Sequence, residues 1–299
     1  MAQLQSNGLS FEYETFGDRG ARPLLLVMGL GAQMILWEED FCRALADRGH
    51  YVVRFDNRDV GLSSKLDAAG VPNVLELMQK VASGARLDVP YTLDDMADDT
   101  AGVLDALGLA NAHVVGASMG GMIAQNLAIL HPQRVRSLTS IMSTTGDPSL
   151  PPAKPEAMAV LLSPPASTRD AAIEQGVRTW RTIGSSGFPF DEANVRKRTA
   201  LAYDRCFHPT GTARQLAAIL AHGSRRARLA HVKIPTLVIH GEADPLVPVE
   251  GGRDTAASIP GAELLLIEGM GHDLPAGAWP RIVGAIAALT ERAEKENRG

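Results

Sequence analysis

A chain of 299 residues, 45% of them hydrophobic, can bury a large core and suits one α/β domain with room for an insertion. Its formal net charge of -5 argues against a nucleic-acid or anionic-membrane partner, and no apolar run is long enough to span a bilayer. The opening MAQLQSNGLSFEYE lacks the basic and apolar regions of a secretion signal, and Cys42 and Cys206 are too few for a disulfide framework or a zinc site, so a reducing, cytoplasmic setting is expected.

In chain order, strand and helix patterns alternate. Residues 9–16 alternate apolar and polar and predict an edge strand, closed by the turn Gly17-Asp18-Arg19-Gly20. Residues 23–28, PLLLVM, predict a strand buried on both faces that runs into the flexible Gly29-Leu30-Gly31. A helix is expected over 35–49, with Trp37, Phe41, Cys42 and Leu45 near one face. Residues 51–55 predict the next strand, and in the polar loop 56–63 Asp56 and Arg58 suggest a structural ion pair. Thr92 is a good N-cap for a helix over 92–107 with acids in its first turns. Strands at 113–115 and 135–142 flank a helix at 119–130.

The texture changes at 147. Prolines crowd 147–165, helical patterns continue over 168–182, 191–203 and 213–220, and strand signals vanish until 236. A strand at 235–240, a helix at 249–258, a strand at 263–267 and an amphipathic helix at 279–295 close the chain. This order implies a mostly parallel, doubly wound sheet built from residues 1–146 and 234–299, with 147–233 as a helical cap.

Ligands of such sheets bind beyond the carboxyl ends of the strands. At that edge Gly116-Ala117-Ser118-Met119-Gly120 fits G-x-S-x-G between a strand and a helix, a sharp turn that lifts the serine hydroxyl above the sheet. The motif is weak by itself, because a serine between glycines is commonly just a turn. Two residues further along the chain strengthen it: Asp244 and then His272 each lie in a loop after a late strand. In that arrangement Ser118 attacks, His272 moves the proton, Asp244 orients the imidazole, and the N–H groups of Leu30 and Met119 hold an oxyanion.

Each residue also has a plainer reading. Asp244 before Pro245 could cap a turn, with Asp147 as the rival acid, and His272 could be a surface loop residue. His240 at a strand end reads as packed, and His208, His222 and His231 are too scattered for a metal site. Met28 and Met142, with Leu30 and Met119, are expected as an apolar floor near the serine; Trp180 and Phe188 are placed either on the pocket or in the core of the cap.

These segments together resemble the α/β-hydrolase family over essentially the whole chain. The matching stretches are Met28-Gly29-Leu30-Gly31, the loop 56–63 against D-x-R-G-x-G-x-S, Gly116 to Gly120, Gly241-Glu242-Ala243-Asp244 and Gly271-His272. Met28 stands where the family often has histidine, and Asp59 where it has glycine. The Leu-Val-Met-Gly start, the Arg-Asp-x-Gly-x-Ser loop and Gly-x-Pro-Phe-Asp at 187–191 resemble aclacinomycin methylesterase-type carboxylesterases more narrowly. The resemblance implies an α/β-hydrolase fold with a helical cap after the sixth strand, and a serine hydrolase for a small or medium apolar ester that needs no metal or organic cofactor. The same residues would also suit a cofactor-free perhydrolase, a carbon–carbon bond hydrolase, or a small-ligand receptor.

Overall fold

A computed structural model describes residues 2–296. The chain opens with a hairpin, β1 (Ala2–Ser6) and β2 (Leu9–Phe16), then runs β3 (Arg22–Val27), α1 (Glu39–Ala46), β4 (His50–Phe55), α2 (Val74–Ala82) and α3 (Leu93–Ala106). Next come β5 (Ala112–Ala117), α4 (Met119–Leu130) and β6 (Val135–Ile141). Among the described residues, five helices fill the stretch before the next strand: α5 (Pro155–Leu161), α6 (Arg169–Ile183), α7 (Glu192–Arg205), α8 (Pro209–His222) and α9 (Arg226–Leu229). The chain ends with β7 (Thr236–Gly241), α10 (Val249–Ser258), β8 (Glu263–Ile267) and α11 (Trp279–Glu296).

The strands form one sheet in the order β1-β2-β4-β3-β5-β6-β7-β8, antiparallel at β1/β2 and β2/β4 and parallel elsewhere. The apolar run of β3 sorts its side chains by strand alternation. Leu24 and Leu26 face one core, with Trp37 and Phe41 beside α1 and Ile282 and Ile286 of α11. Leu25 and Val27 face the other, with Leu93 and Val103 of α3 and Ile123 and Leu127 of α4.

Residues 9–16 are not an edge strand, because β1 pairs outside them with Leu4 opposite Phe11. The sequence does carry a hairpin signal there: Asn7 and Gly8 both have positive φ (51° and 75°), as a two-residue Asn-Gly turn requires. The helix expected over 35–49 is divided, with a single 3₁₀ turn at Met34–Leu36 before α1. Thr92 does cap α3: its hydroxyl accepts from Asp95 N, and the Asp95 carboxylate accepts from Thr92 N.

The loop after β4 holds a second correction. Asp56 and Arg58 do not pair. Arg58 instead makes a two-pronged ion pair with buried Asp99 (2.5 and 2.7 Å), and Asp56 accepts from Met34 N and Arg205 (2.7 and 2.6 Å). Asp59, at φ 68°, takes a bidentate pair from Arg214 of α8, both bonds 2.8 Å, with both side chains fully buried.

Candidate active site

Ser118 lies between β5 and α4 at φ 56°, ψ -122°, a conformation that costs a residue with a side chain roughly 1–3 kcal/mol. The surrounding backbone enforces it. Ser118 N donates to Ile141 O (2.9 Å), and Ser118 O accepts from Gly121 N and from the Ser143 hydroxyl, both 2.9 Å. A Cβ on Gly116 would stand 2.1 Å from Gly120 O, and one on Gly120 would stand 2.1 Å from Val27 O, so the turn closes only with glycine at both positions.

His272 Nε2 is 2.9 Å from Ser118 Oγ, and its Nδ1 is 2.7 Å from Asp244 Oδ2. Asp244 Oδ1 accepts from Leu246 N and Val247 N, both 2.9 Å, so the carboxylate is oriented at both oxygens. That pattern puts the imidazole proton on Nδ1 and leaves Nε2 to accept from the serine hydroxyl. Asp244 and His272 are buried, at 5% and 6% exposure. Asp147, the rival acid, is engaged elsewhere, accepting from Ser149 N at 3.0 Å and facing Arg226 at 3.3 Å.

His240 is packed against this acid loop. Its Nε2 lies 2.8 Å from Val247 O and 3.7 Å from Asp244 Oδ2, and burial pushes its pKa down, which keeps it a neutral donor. Asp273 flanks the other side of His272. Burial raises its carboxyl above the usual range, against the opposing pull of the Ser185 hydroxyl and Arg198.

The loop after β3 passes directly over the serine: a Cβ on Gly29 would be 3.1 Å from Ser118 Cβ. Gly31 N donates to Gln215 Oε1 (2.8 Å), and Asn57 Nδ2 donates to Met28 O (2.9 Å), which fixes the loop from two directions. Among the described residues, the N–H groups of Leu30 and Met119 donate to no protein acceptor.

A cavity of about 380 Å³ opens on Ser118 and His272. Its wall is strongly apolar and carries four methionines, Met28, Met122, Met142 and Met158, together with Leu30 and Trp180. Met119 contributes no side chain to it, being fully buried in the core beneath the elbow. Phe188 does not line it either. Gly187 N is tied to Gly269 O (2.8 Å), and Phe188 packs instead on Gly277, where an added Cβ would come within 2.9 Å of the ring. Met122 has a sequence signal that finds it, since it lies one helical turn after Ser118. Met158, on the short α5 among prolines, has none.

A family model described as the alpha/beta hydrolase fold matches residues 22–275. The chain belongs to the α/β-hydrolase fold family. The hydrolase is 33% identical to rhodomycin D methylesterase of Streptomyces sp. (strain C5), over 94% of both chains, and 32% identical to that of Streptomyces peucetius, again over 94% of both. Among solved structures it resembles the meta-cleavage product hydrolase of Pseudomonas fluorescens IP01, with TM-score 0.76, 19% identity and 98% of both chains covered. The enol-lactonase of Burkholderia xenovorans LB400 superposes with TM-score 0.73 at 21% identity, over 96% of this chain and 99% of that one. The two Streptomyces relatives are methylesterases by name. No described helix is long and apolar enough to cross a membrane, and no cluster of three described His, Cys, Asp or Glu residues is placed to hold a metal ion.

Proposed function

We propose that this hydrolase cleaves a small or medium apolar ester through an acyl-enzyme on Ser118, and that the leaving alcohol is small, as in the methyl esters cut by its methylesterase relatives. One observation carries the reading: the unbroken chain Ser118–His272–Asp244 opens onto the methionine-walled cavity, beside two N–H groups without protein acceptors.

His272 Nε2 takes the Ser118 proton as Oγ adds to the ester carbonyl. The oxyanion forms against Leu30 N–H and Met119 N–H, at the positive end of α4, where each such donor contributes about 2.7–4 kcal/mol in the transition state. The imidazolium, held by Asp244, protonates the departing alkoxide. Water, deprotonated by the same nitrogen, then releases the acid. Residues 147–233 act as a cap that walls the cavity with Met158 and Trp180, over a core made of 1–146 and 234–299. The unpaired thiols Cys42 and Cys206 favour a reducing, cytoplasmic setting.

The test is hydrolysis of p-nitrophenyl esters from acetate to laurate, and of aryl carboxylic acid methyl esters, by wild type, Ser118→Ala and His272→Ala. Each variant is expected to lose about 10⁴-fold or more in kcat while keeping its folded circular dichroism spectrum. A variant within a few-fold of wild type overturns the assignment.

A further inference from the structure

The histidine loop after β8 is held from two sides. Ala243 N, just past β7, donates to Met270 O (3.0 Å), and the rest of its fastening comes from residues 183–187, at the end of α6 and in its connection to α7. His272 N donates to Ile183 O (2.7 Å), and Gly187 N donates to Gly269 O (2.8 Å). Between those two backbone bonds lies Ser185. Its Oγ accepts from Gly271 N (3.0 Å) and donates to Asp273 Oδ1. One hydroxyl thus bonds the residue before His272 and the residue after it.

The two segments approach at backbone distance. A Cβ on Gly187 would stand 2.6 Å from the Cα of Gly269, and one on Gly271 would stand 2.4 Å from Gly184 O. This accounts for the glycine that opens Gly-Phe-Pro-Phe-Asp at 187–191: it lets the connection lie flat on the histidine loop. The hydroxyl has both of its roles filled, one as donor and one as acceptor, so it cannot rotate away without breaking a bond.

We propose that Ser185 is a positioning residue for His272: through Gly271 N–H and the Asp273 carboxylate, it sets the height and aim of the imidazole over Ser118. The proposal rests on the Ser118–His272–Asp244 reading. It makes the α6–α7 connection part of the proton-transfer geometry. Alignment of this kind acts on the chemical step, which is sensitive to displacements of an ångström.

The experiment uses the full chain as wild type, Ser185→Ala, Asp273→Ala and the double variant. Three quantities are read: kcat and KM for p-nitrophenyl butyrate, the rate at which a fluorophosphonate labels Ser118, and the thermal midpoint. Ser185→Ala is expected to lose about 10-fold or more in kcat, with KM within about two-fold and labelling slowed in parallel. Asp273→Ala is expected to lower kcat in the same direction, and the double variant to lose no more than the worse single variant, because both act through one contact. Unchanged kcat in Ser185→Ala, or losses that multiply in the double variant, overturns the proposal. If Ser185→Ala does not fold, folded Asp273→Ala decides alone: a lowered kcat supports the positioning role and an unchanged one overturns it. Wild-type labelling at Ser118 keeps the triad standing whatever Ser185→Ala does, whereas an unlabelled wild type removes the triad and this proposal together.

Discussion

The turn that carries Ser118 and the loop that carries His272 are built by the same device from different material. Both depend on glycines that let backbone touch backbone. At the serine turn the touching strands all belong to the sheet: Gly120 lies against Val27 O, and Ser118 N bonds Ile141 O. At the histidine loop one partner is Gly241 at the end of β7, where an added Cβ would stand 2.1 Å from Met270 O, and the other is the connection 183–187, which belongs to the inserted helices. The loop after β3 shares the second pattern, since Gly31 N is held by Gln215 of α8, whose Nε2 also donates to Arg58 O (2.8 Å). One region therefore stands or falls with the fold. The other two can be disturbed from outside the sheet.

The largest expected effect tests the first half of that contrast. Gly120→Ala would press a methyl to 2.1 Å from Val27 O in the centre of the sheet. A stability loss of about 3 kcal/mol or more is expected, read as a lowered urea midpoint, with activity disappearing along with the fold. A stable but inactive Gly120→Ala would mean that the turn is less tightly bound to the sheet than its contacts indicate. Gln215→Leu tests the second half. It leaves the half-buried Gly31 N–H and the buried Arg58 C=O without partners, at about 1–3 kcal/mol. Turnover should fall by more than that stability loss explains, because the loop bearing Leu30 N–H is released. Equal activity per folded molecule would show that α8 does not hold the loop after β3 in its working position.

The smallest effect is one of pH. Burial, followed by the charges of Arg225 and Arg228, pushes His222 at the end of α8 down to about 4, whereas in an unfolded chain it titrates near 6.5. Below pH 6.5 the unfolded chain therefore takes up a proton that the native protein refuses. The stability is fully present above 6.5 and drains away as the pH falls toward 4. His222→Gln should remove about 2 kcal/mol of the stability difference between pH 7.5 and 5, read from urea unfolding at the two pH values. It should not remove all of it, because burial also pushes down His113 of β5, within the sheet. An unaltered slope in the variant would show that the acid-sensitive groups lie in the sheet alone.

The parallel strands and the order Ser118, Asp244, His272 are legible in the sequence because strand periodicity and turn chemistry are local signals. So is the Thr92 cap. The outer strand Ala2–Ser6 escapes a periodicity reading because AQLQS contains little apolar pattern, although the Asn-Gly turn next to it announces it. Asp56 and Arg58 are neighbours in sequence but find partners elsewhere. Arg58 reaches Asp99, 41 residues away, and Asp56 reaches Arg205, 149 away. Phe188 misses the cavity because Gly187 is pinned to Gly269, a contact between segments with no common pattern. Ser185 and Gln215 have ordinary helical or loop surroundings, and their bonds span 86 and 184 residues. Only the tertiary meeting of loops marks them out.

The pair Asp59–Arg214 constrains how this chain can change over generations. Asp59 occupies a backbone conformation that glycine adopts freely, and its carboxylate is buried with no exposure. Replacing it with glycine would relax the backbone but leave the buried guanidinium only Asp67 (3.0 Å) as a counter-charge, with Gly70 O (2.9 Å) as a neutral acceptor. Losing Arg214 first would take the bidentate cation from a buried carboxylate on a strained backbone, leaving Leu66 N (2.8 Å) as a donor to it. A buried charge left wholly uncompensated costs about 3–5 kcal/mol, a large share of a domain's whole stability, and these remaining partners offset part of that in either single step. The two positions are therefore coupled, and a lineage leaves this arrangement at least cost by exchanging both residues together.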